Sequence, residues 1–227
     1  MTVFQRARSK EQREVRRRAI LDTAAAMLAE MPAAQLTLNE LSRRVGLAKS
    51  NVLRYFESRE AVLLELLDAL SREWLDQLAT EVAEMAADAT GIAADAAGDR
   101  LAAAIAASIA ARPVLCDLIS AQAAVLEHNV SPQVAAQYKR ASIASITKLG
   151  ELARRCVPEL GEHDAARFAA GVFMVAGALW PHSQPSAAML AAYEADPALA
   201  AMRPDFAATV REVLEVLISG LLARSSR

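Results

Sequence analysis

The stretch that decides the fold is Thr37–Phe56, TLNELSRRVGLAKSNVLRYF. Thr37 followed three residues later by Glu40 has the form of a capping box, in which hydroxyl and carboxylate each satisfy a backbone N–H orphaned at a helix start. A helix is therefore expected from Leu38. Gly46, the residue type that takes the left-handed conformation without a Cβ clash, is expected to end it after Val45. Ser42, Gly46 and Val52 supply a small residue where two helices touch, a turn glycine, and a β-branched aliphatic facing back from a second helix. That is the packing pattern of a helix-turn-helix. Any helical hairpin has a glycine and some aliphatics, so the flanking residues decide. Leu47, Val52 and Phe56 are expected to point inward. Lys49, Ser50, Asn51, Arg54 and Tyr55 lie on the outer side of the second helix, where each can bond a phosphate or a base edge.

Working outward, the segment from Ile20 to Leu67, ILDTAAAMLAE…TLNELSRRVGLAKSNVLRYFESREAVLLELL, resembles the N-terminal domain of TetR-family transcriptional regulators. It has an apolar first helix, Thr37 opening the second, Gly46 at the turn, the aromatic pair Tyr55-Phe56 closing the third, and a Ser58-Arg59-Glu60 step into a long fourth. The resemblance implies a DNA-contacting set of Thr37, Arg43, Arg44, Ala48, Lys49, Ser50, Asn51, Arg54, Tyr55 and Arg59. Lys49, Asn51 and Arg54 are expected at base edges or in the groove, and Tyr55 and Arg59 on phosphates; Arg59 aligns with the family's backbone-contacting Lys. Three positions depart from the pattern. Leu53 stands where the family most often has a Tyr that touches the DNA backbone, and Ser50 where Gly is common. Ala48 stands where a Ser usually caps the recognition helix, which removes a side-chain cap worth ~1 kcal/mol.

Charge supports the same assignment. The net charge of −2 conceals an asymmetry: residues 1–60 contain 12 Lys/Arg against 7 Asp/Glu, and the remainder 13 against 20. The basic end suits a polyanion and the acidic end does not. Little Gly and Pro, abundant Ala and Leu, and apolar residues every three or four positions indicate an all-α protein. Cys116 and Cys156 are isolated in apolar context and match no metal spacing, so they read as reduced core thiols. The longest apolar run, Phe168 to Trp180, is shorter than the ~18 residues of a membrane span, and no signal-peptide core is visible. A cytoplasmic protein with no membrane partner is expected.

The expected architecture is an N-terminal three-helix DNA-binding domain plus a larger C-terminal helical bundle for ligand binding and dimerisation. Its divisions are a basic flexible arm over 1–9, the helix-turn-helix domain over 10–60, and the helical body over 61–227. Arginines crowd the arm and the first helix, among them Arg13, Arg16 and Arg17, and are candidates for further DNA contacts. The first helix presents Ile20, Leu21, Ala24, Ala25 and Leu28 inward and stops before Pro32. A fourth helix capped by Ser58 repeats Leu63, Leu67, Leu70, Trp74 and Leu78 on one stripe, long enough to link two domains. A loop is expected over Ala86–Gly98. Helices then follow over Asp99–Ala111, Val114–His128, Pro132–Cys156 behind the Ser131 cap, His163–Trp180, two short pieces over Ser186–Ala195 and Pro197–Met202, and Pro204–Ala223.

Two of these helices are apolar nearly all round and so must be covered on more than one side. A symmetric homodimer joined through them is expected, with Phe168, Val172, Val175 and Leu179 meeting Val210, Leu214, Leu217, Ile218 and Leu221. TetR-like regulators dimerise in this way. Trp74, Phe173, Met174, Trp180 and His182 are candidate walls of a largely apolar effector pocket, against the plainer reading that aromatics and Met at helical spacing form core. No phosphate-binding glycine loop, metalloprotease helix or nucleophile elbow is present, and His128, His163 and His182 are scattered. Neither catalysis, nor a metal site, nor a cofactor is expected. The function that the resemblance to TetR-family regulators implies is a repressor bound to a palindromic double-stranded DNA operator and released by a small-molecule effector, with the fourth helix as lever. Two alternatives stand beside it: a helical enzyme or carrier with an incidental basic end, and a DNA-binding regulator whose body takes a protein partner.

Overall fold

The computed structural model describes residues 3–87 and 93–225, and among these the chain is helical with no strand. The helices are α1 Val3–Leu28, α2 Leu38–Val45, α3 Lys49–Val52, α4 Arg59–Ala87, α5 Ala94–Ala110, α6 Pro113–Ala121, α7 Pro132–Cys156, α8 Gly161–Ser183, α9 Ala187–Ala195, α10 Pro197–Ala200 and α11 Phe206–Ser225. The order agrees with the reading above, and the differences have local causes. The arm is not separate from the first helix, because α1 is continuous from Val3. α5 begins at Ala94, ahead of the expected Asp99, since an Ala-rich run opposes a helix less than its weak patterning suggests; residues 88–92 of the expected loop lie outside the described residues. α6 gives way to a π turn over Gln122–Leu126, closed by Glu127 N–H donating to the Gln122 carbonyl at 3.2 Å. α8 runs through Pro181 to Ser183.

The chain divides into two compact units. The first extends through Ala69 and includes Ala121–Lys139; the second comprises Leu70–Ser120 and the chain from Arg140 onward. The first unit thus runs past the expected boundary at residue 60 and includes the start of α7. In the first unit Ile20, Ala24 and Met27 of α1, Leu36, Leu41 of α2, Val52 and Phe56 pack with Val62, Leu63 and Leu67 of α4, all buried. Glu57 accepts a hydrogen bond from the backbone N–H of Ser131 at 2.6 Å, placing a carboxylate at the start of α7, where the helix dipole favours it.

In the second unit α11 lies against α5 and α8. Gly171 leaves room for Leu217 where α8 meets α11: a Cβ there would stand 2.6 Å from Leu217 Cδ2, and that side-chain end would have to shift. Trp74 is fully buried, donates its indole N–H to Ser108 Oγ at 3.0 Å, and meets Phe173 edge-to-face with centroids 5.7 Å apart. Cys116 is buried, and burial pushes its thiol up to about 12, so it stays protonated.

The expected dimer residues need correction. Phe168, Val172, Val210, Leu214, Ile218 and Leu221 are buried within their own unit, and Val175, Leu179 and Leu217 are half-buried. A helix apolar all round carries two apolar faces, and the stripe of largest aliphatics is the one its own core consumes. The face left outside is different: Met174 on α8, 72 % exposed, with Val213 and the 70 % exposed Val216 on α11, beside exposed Ala178 and Gly220.

Candidate nucleic-acid interface

Local chemistry shapes the α2–α3 pair as the sequence requires. Thr37 has extended backbone and its hydroxyl accepts the Glu40 N–H at 3.2 Å, so it acts as the cap of α2. Gly46 ends the helix at φ +72°, a left-handed conformation disfavoured for any residue with a Cβ, and its N–H donates to the Arg43 carbonyl at 3.2 Å. Ala48 opens α3 with cap-like backbone but no side-chain bond. The short helix continues as a tight turn, with Leu53 N–H on the Lys49 carbonyl at 3.0 Å and Phe56 N–H on the Val52 carbonyl at 3.1 Å. Val52 and Phe56 are thereby fixed in the core, and Lys49, Ser50, Asn51 and Arg54 face outward. Among the described residues their side chains have no hydrogen-bond or ionic partner, and Tyr55 is half-buried beside them. Leu53 is exposed on the same surface.

The remaining basic residues fall into two groups. Glu40 does not complete a reciprocal capping box; its carboxylate instead receives Arg43 Nη2 at 2.6 Å and Arg44 Nε at 3.0 Å. These two guanidiniums hold the Glu40 carboxyl at about 2, far below its ordinary value. Arg44 also reaches Glu30 at the end of α1 at 2.7 Å, so it ties two helices together, while Arg43 stays largely exposed. Arg59 turns away from the surface. Its guanidinium donates to the carbonyls of Ala34 at 3.3 Å and Leu36 at 3.1 Å and pairs with Glu60, fastening the α1–α2 connection to the start of α4. Arg59, expected on a phosphate, thus has three internal acceptors in this structure.

Arg17 has a role that charge counting did not single out. It forms a two-pronged pair with Glu65 of α4, donates to the Tyr55 carbonyl at 2.6 Å, and stacks 4.2 Å above the Phe56 ring. One side chain therefore holds the end of the recognition turn against α1 and α4. The sequence signal was an Arg one helical turn before Ile20, on the edge of the buried stripe. Arg13 and Arg16, by contrast, line a groove of about 1070 Å³ together with Glu11, Gln12, Val15, Arg54 and Tyr55. Cations from α1 and from the end of the recognition turn share this surface. That is an electrostatic setting for a phosphate backbone.

The five expected effector-wall residues do not converge. Trp74 is spent on Ser108 and the core, and Phe173 packs against it. Met174 and His182 face outward, and Trp180 meets Phe206 edge-to-face at 5.2 Å. Trp74 lies on α4 and the other four on α8, where they do not share one face. Among the described residues no group of three or more His, Cys, Asp or Glu is placed to hold a metal ion, and no single helix is long and apolar enough to cross a membrane.

Comparison with known proteins agrees with this geometry. The sequence profile "Bacterial regulatory proteins, tetR family" matches residues 20–66, and "Tetracyclin repressor-like, C-terminal domain" matches residues 68–225. No curated protein matches the chain in sequence. Among solved structures, a TetR transcriptional regulator from Rhodococcus sp. RHA1 is 15% identical, with 96% of this chain and 98% of that chain covered and a TM-score of 0.55. The fatty acid degradation regulator FadR from Bacillus halodurans is 15% identical, covering 89% and 97%, with a TM-score of 0.53. FadR from Bacillus subtilis, in complex with stearoyl-CoA, is 13% identical, covering 89% and 97%, with a TM-score of 0.53. At these identities the structural likeness speaks for the fold.

Proposed function

Since the chain belongs to the TetR family, whose members are non-enzymatic transcriptional regulators that bind DNA, we propose that it is a homodimeric repressor. In this reading it sits on a palindromic operator and is released by an apolar small-molecule effector. The observation that carries the DNA-binding half is the outward face of α3, where Lys49, Ser50, Asn51 and Arg54 are exposed and without a partner among the described residues, on a turn locked from behind by Val52, Phe56 and Arg17. Rigid backing matters because a base-edge contact discriminates only if its donor is held in place. Asn51 presents the amide that pairs with an adenine edge. Lys49 and Arg54 suit guanine or phosphate, and Arg13 and Arg16 extend the cationic surface along α1.

Homodimers and small-molecule effectors are typical of the family, and both support this reading. One recognition helix neutralises few phosphates, so useful affinity requires two, held about one DNA turn apart, ~34–36 Å, by a two-fold interface. The B. subtilis FadR complex makes a long-chain acyl-CoA the first effector probe. The deciding experiment is selection of DNA fragments from a random pool by purified protein, followed by Asn51→Ala on the selected site. The variant is expected to lose ~1–3 kcal/mol there and to relax preference at one base pair per half-site, leaving random-DNA affinity unchanged. Equal loss on selected and random DNA would refute base reading by α3. Recovery of no enriched sequence would refute the operator, and failure of stearoyl-CoA and a small-molecule panel to release the selected DNA would refute the effector.

A further inference from the structure

α3 is four residues long, and Ala48 gives its start no side-chain cap. The bonds that tie it to its surroundings lie at its far end. There the Arg54 N–H donates to the Asn51 carbonyl at 3.2 Å and the Tyr55 N–H to the Val52 carbonyl at 2.9 Å, so the turn that carries Arg54 continues the one that carries Asn51. A helical turn that stops leaves its last carbonyls without a donor of its own. Among the described residues no backbone N–H reaches the Tyr55 carbonyl; its donor is Arg17 Nη1 of α1, at 2.6 Å. The recognition turn is thus closed by a side chain 38 residues earlier in the chain.

Arg17 is itself held in place. Its Nε donates to Glu65 Oε1 of α4 at 2.7 Å, its Nη2 pairs with the other carboxylate oxygen, and its plane lies 4.2 Å over the Phe56 ring. One edge of the guanidinium is therefore spent on α4, the other on the turn, and its face on the aromatic behind the turn. A planar fork can make these contacts together, whereas the point charge of an ammonium cannot. The preceding residue has the opposite assignment: Arg16 lines the outward groove with Arg54 and Tyr55. Adjacent arginines of α1 thus meet the recognition turn from its two sides. A base-edge contact discriminates only while its side chain is held close to the productive direction, and Asn51 and Arg54 take that direction from the turn that Arg17 closes.

We propose that Arg17 is a positioning residue for sequence discrimination, and that its pair with Glu65 makes the start of α4 part of the base-reading apparatus without touching DNA. This inference rests on base reading by α3 as proposed above, and the test separates the two. Arg17→Lys keeps the charge and loses the fork; Glu65→Gln keeps the shape and loses the ion pair. Both are compared with the parent on DNA selected from a random pool and on random DNA, at a temperature where circular dichroism shows each protein fully folded. Each variant is expected to lower the ratio of selected to random affinity roughly tenfold, and the double variant to lower it no further, since both break one linkage. Random-DNA affinity and the salt slope are expected to match the parent, because no phosphate contact is removed. A folded variant with an unchanged ratio overturns the proposal, and so does equal loss on both DNAs, which a merely structural role would give. A double variant that loses as much again overturns the linkage. Should Arg17→Lys not fold, Glu65→Gln decides by the same ratio. A parent protein with no preference for selected DNA overturns base reading by α3 and this inference with it.

Discussion

Arg17 and Lys49 are both basic residues of the helix-turn-helix unit, yet their fates differ. The guanidinium of Arg17 is 26 % exposed and occupied by Glu65, the Tyr55 carbonyl and the Phe56 ring, while the Lys49 side chain is exposed and has no partner among the described residues. Arg17→Ala removes a charge-assisted pair, leaves Glu65 half-buried without its partner, and uncovers Phe56. It is expected to lower unfolding free energy by about 2 kcal/mol. Lys49→Ala is expected to leave stability within ~0.5 kcal/mol and to weaken DNA binding. Urea unfolding distinguishes the two; equal stability of both variants would mean that the Arg17 contacts are solvent-exchanged. Glu40 supplies a pH signature. Its folded carboxyl sits at about 2, below the ordinary 4.5, so its ion pairs contribute fully above pH 4.5 and are lost as pH falls toward 2. An NMR titration of Glu40 is expected to show that low midpoint, and Arg43→Ala with Arg44→Ala to return it toward the ordinary value. A normal midpoint in the parent protein would remove the pairing.

At the scale of the element, α3 is the informative case. It is four residues long, opened by Ala48 with φ −62° and ψ 145° and no side-chain cap. That backbone is already the one a capping residue adopts, and the Asn51 N–H already donates to the Ala48 carbonyl at 2.8 Å, so Ala48→Ser is expected to place a hydroxyl against the Ser50 N–H. The gain should be ~1 kcal/mol in unfolding free energy with operator binding retained. A variant no more stable than the parent would show that water already satisfies that N–H group. The contrast with α2 is instructive: there Thr37 caps the start and Gly46 closes the end, so the first helix of the motif is set by its own sequence. α3 depends instead on what stands behind it, namely Val52 and Phe56 in the core and Arg17 across the Tyr55 carbonyl.

For the whole molecule, the homodimer proposed above makes the outward face of α8 and α11 the surface to test. Leu217→Glu is a poor probe of a dimer, because Leu217 contacts Gly171 inside the protomer and a carboxylate there would loosen the crossing itself. Val216, 70 % exposed, separates the effects. Val216→Glu is expected to melt with the parent protein within ~0.5 kcal/mol, to sediment as a monomer, and to lose the palindromic site while keeping weak random-DNA affinity. A Val216→Glu protein that stays dimeric and binds its operator normally would move the interface elsewhere.

What the sequence determined by itself was everything set by neighbours along the chain. Thr37 and Gly46 bounded α2, Ser131-Pro132 opened α7, and the spacing of Leu41, Val52 and Phe56 marked the core of the DNA-binding unit. Capping bonds, left-handed backbone and helical periodicity act over a few residues, so their signals survive in a linear string. Tertiary structure decided which of two equivalent-looking groups does which task. Arg17 and Arg59 turned inward while Lys49 and Arg54 did not, because carboxylate and carbonyl partners from distant segments stood within reach of the first pair alone. Phe168, Val172, Leu214 and Ile218 were consumed by the protomer, leaving Met174, Val213 and Val216 outside. Periodicity reports that a helix has an apolar face, but not which neighbour will cover it, since that depends on how the whole bundle closes.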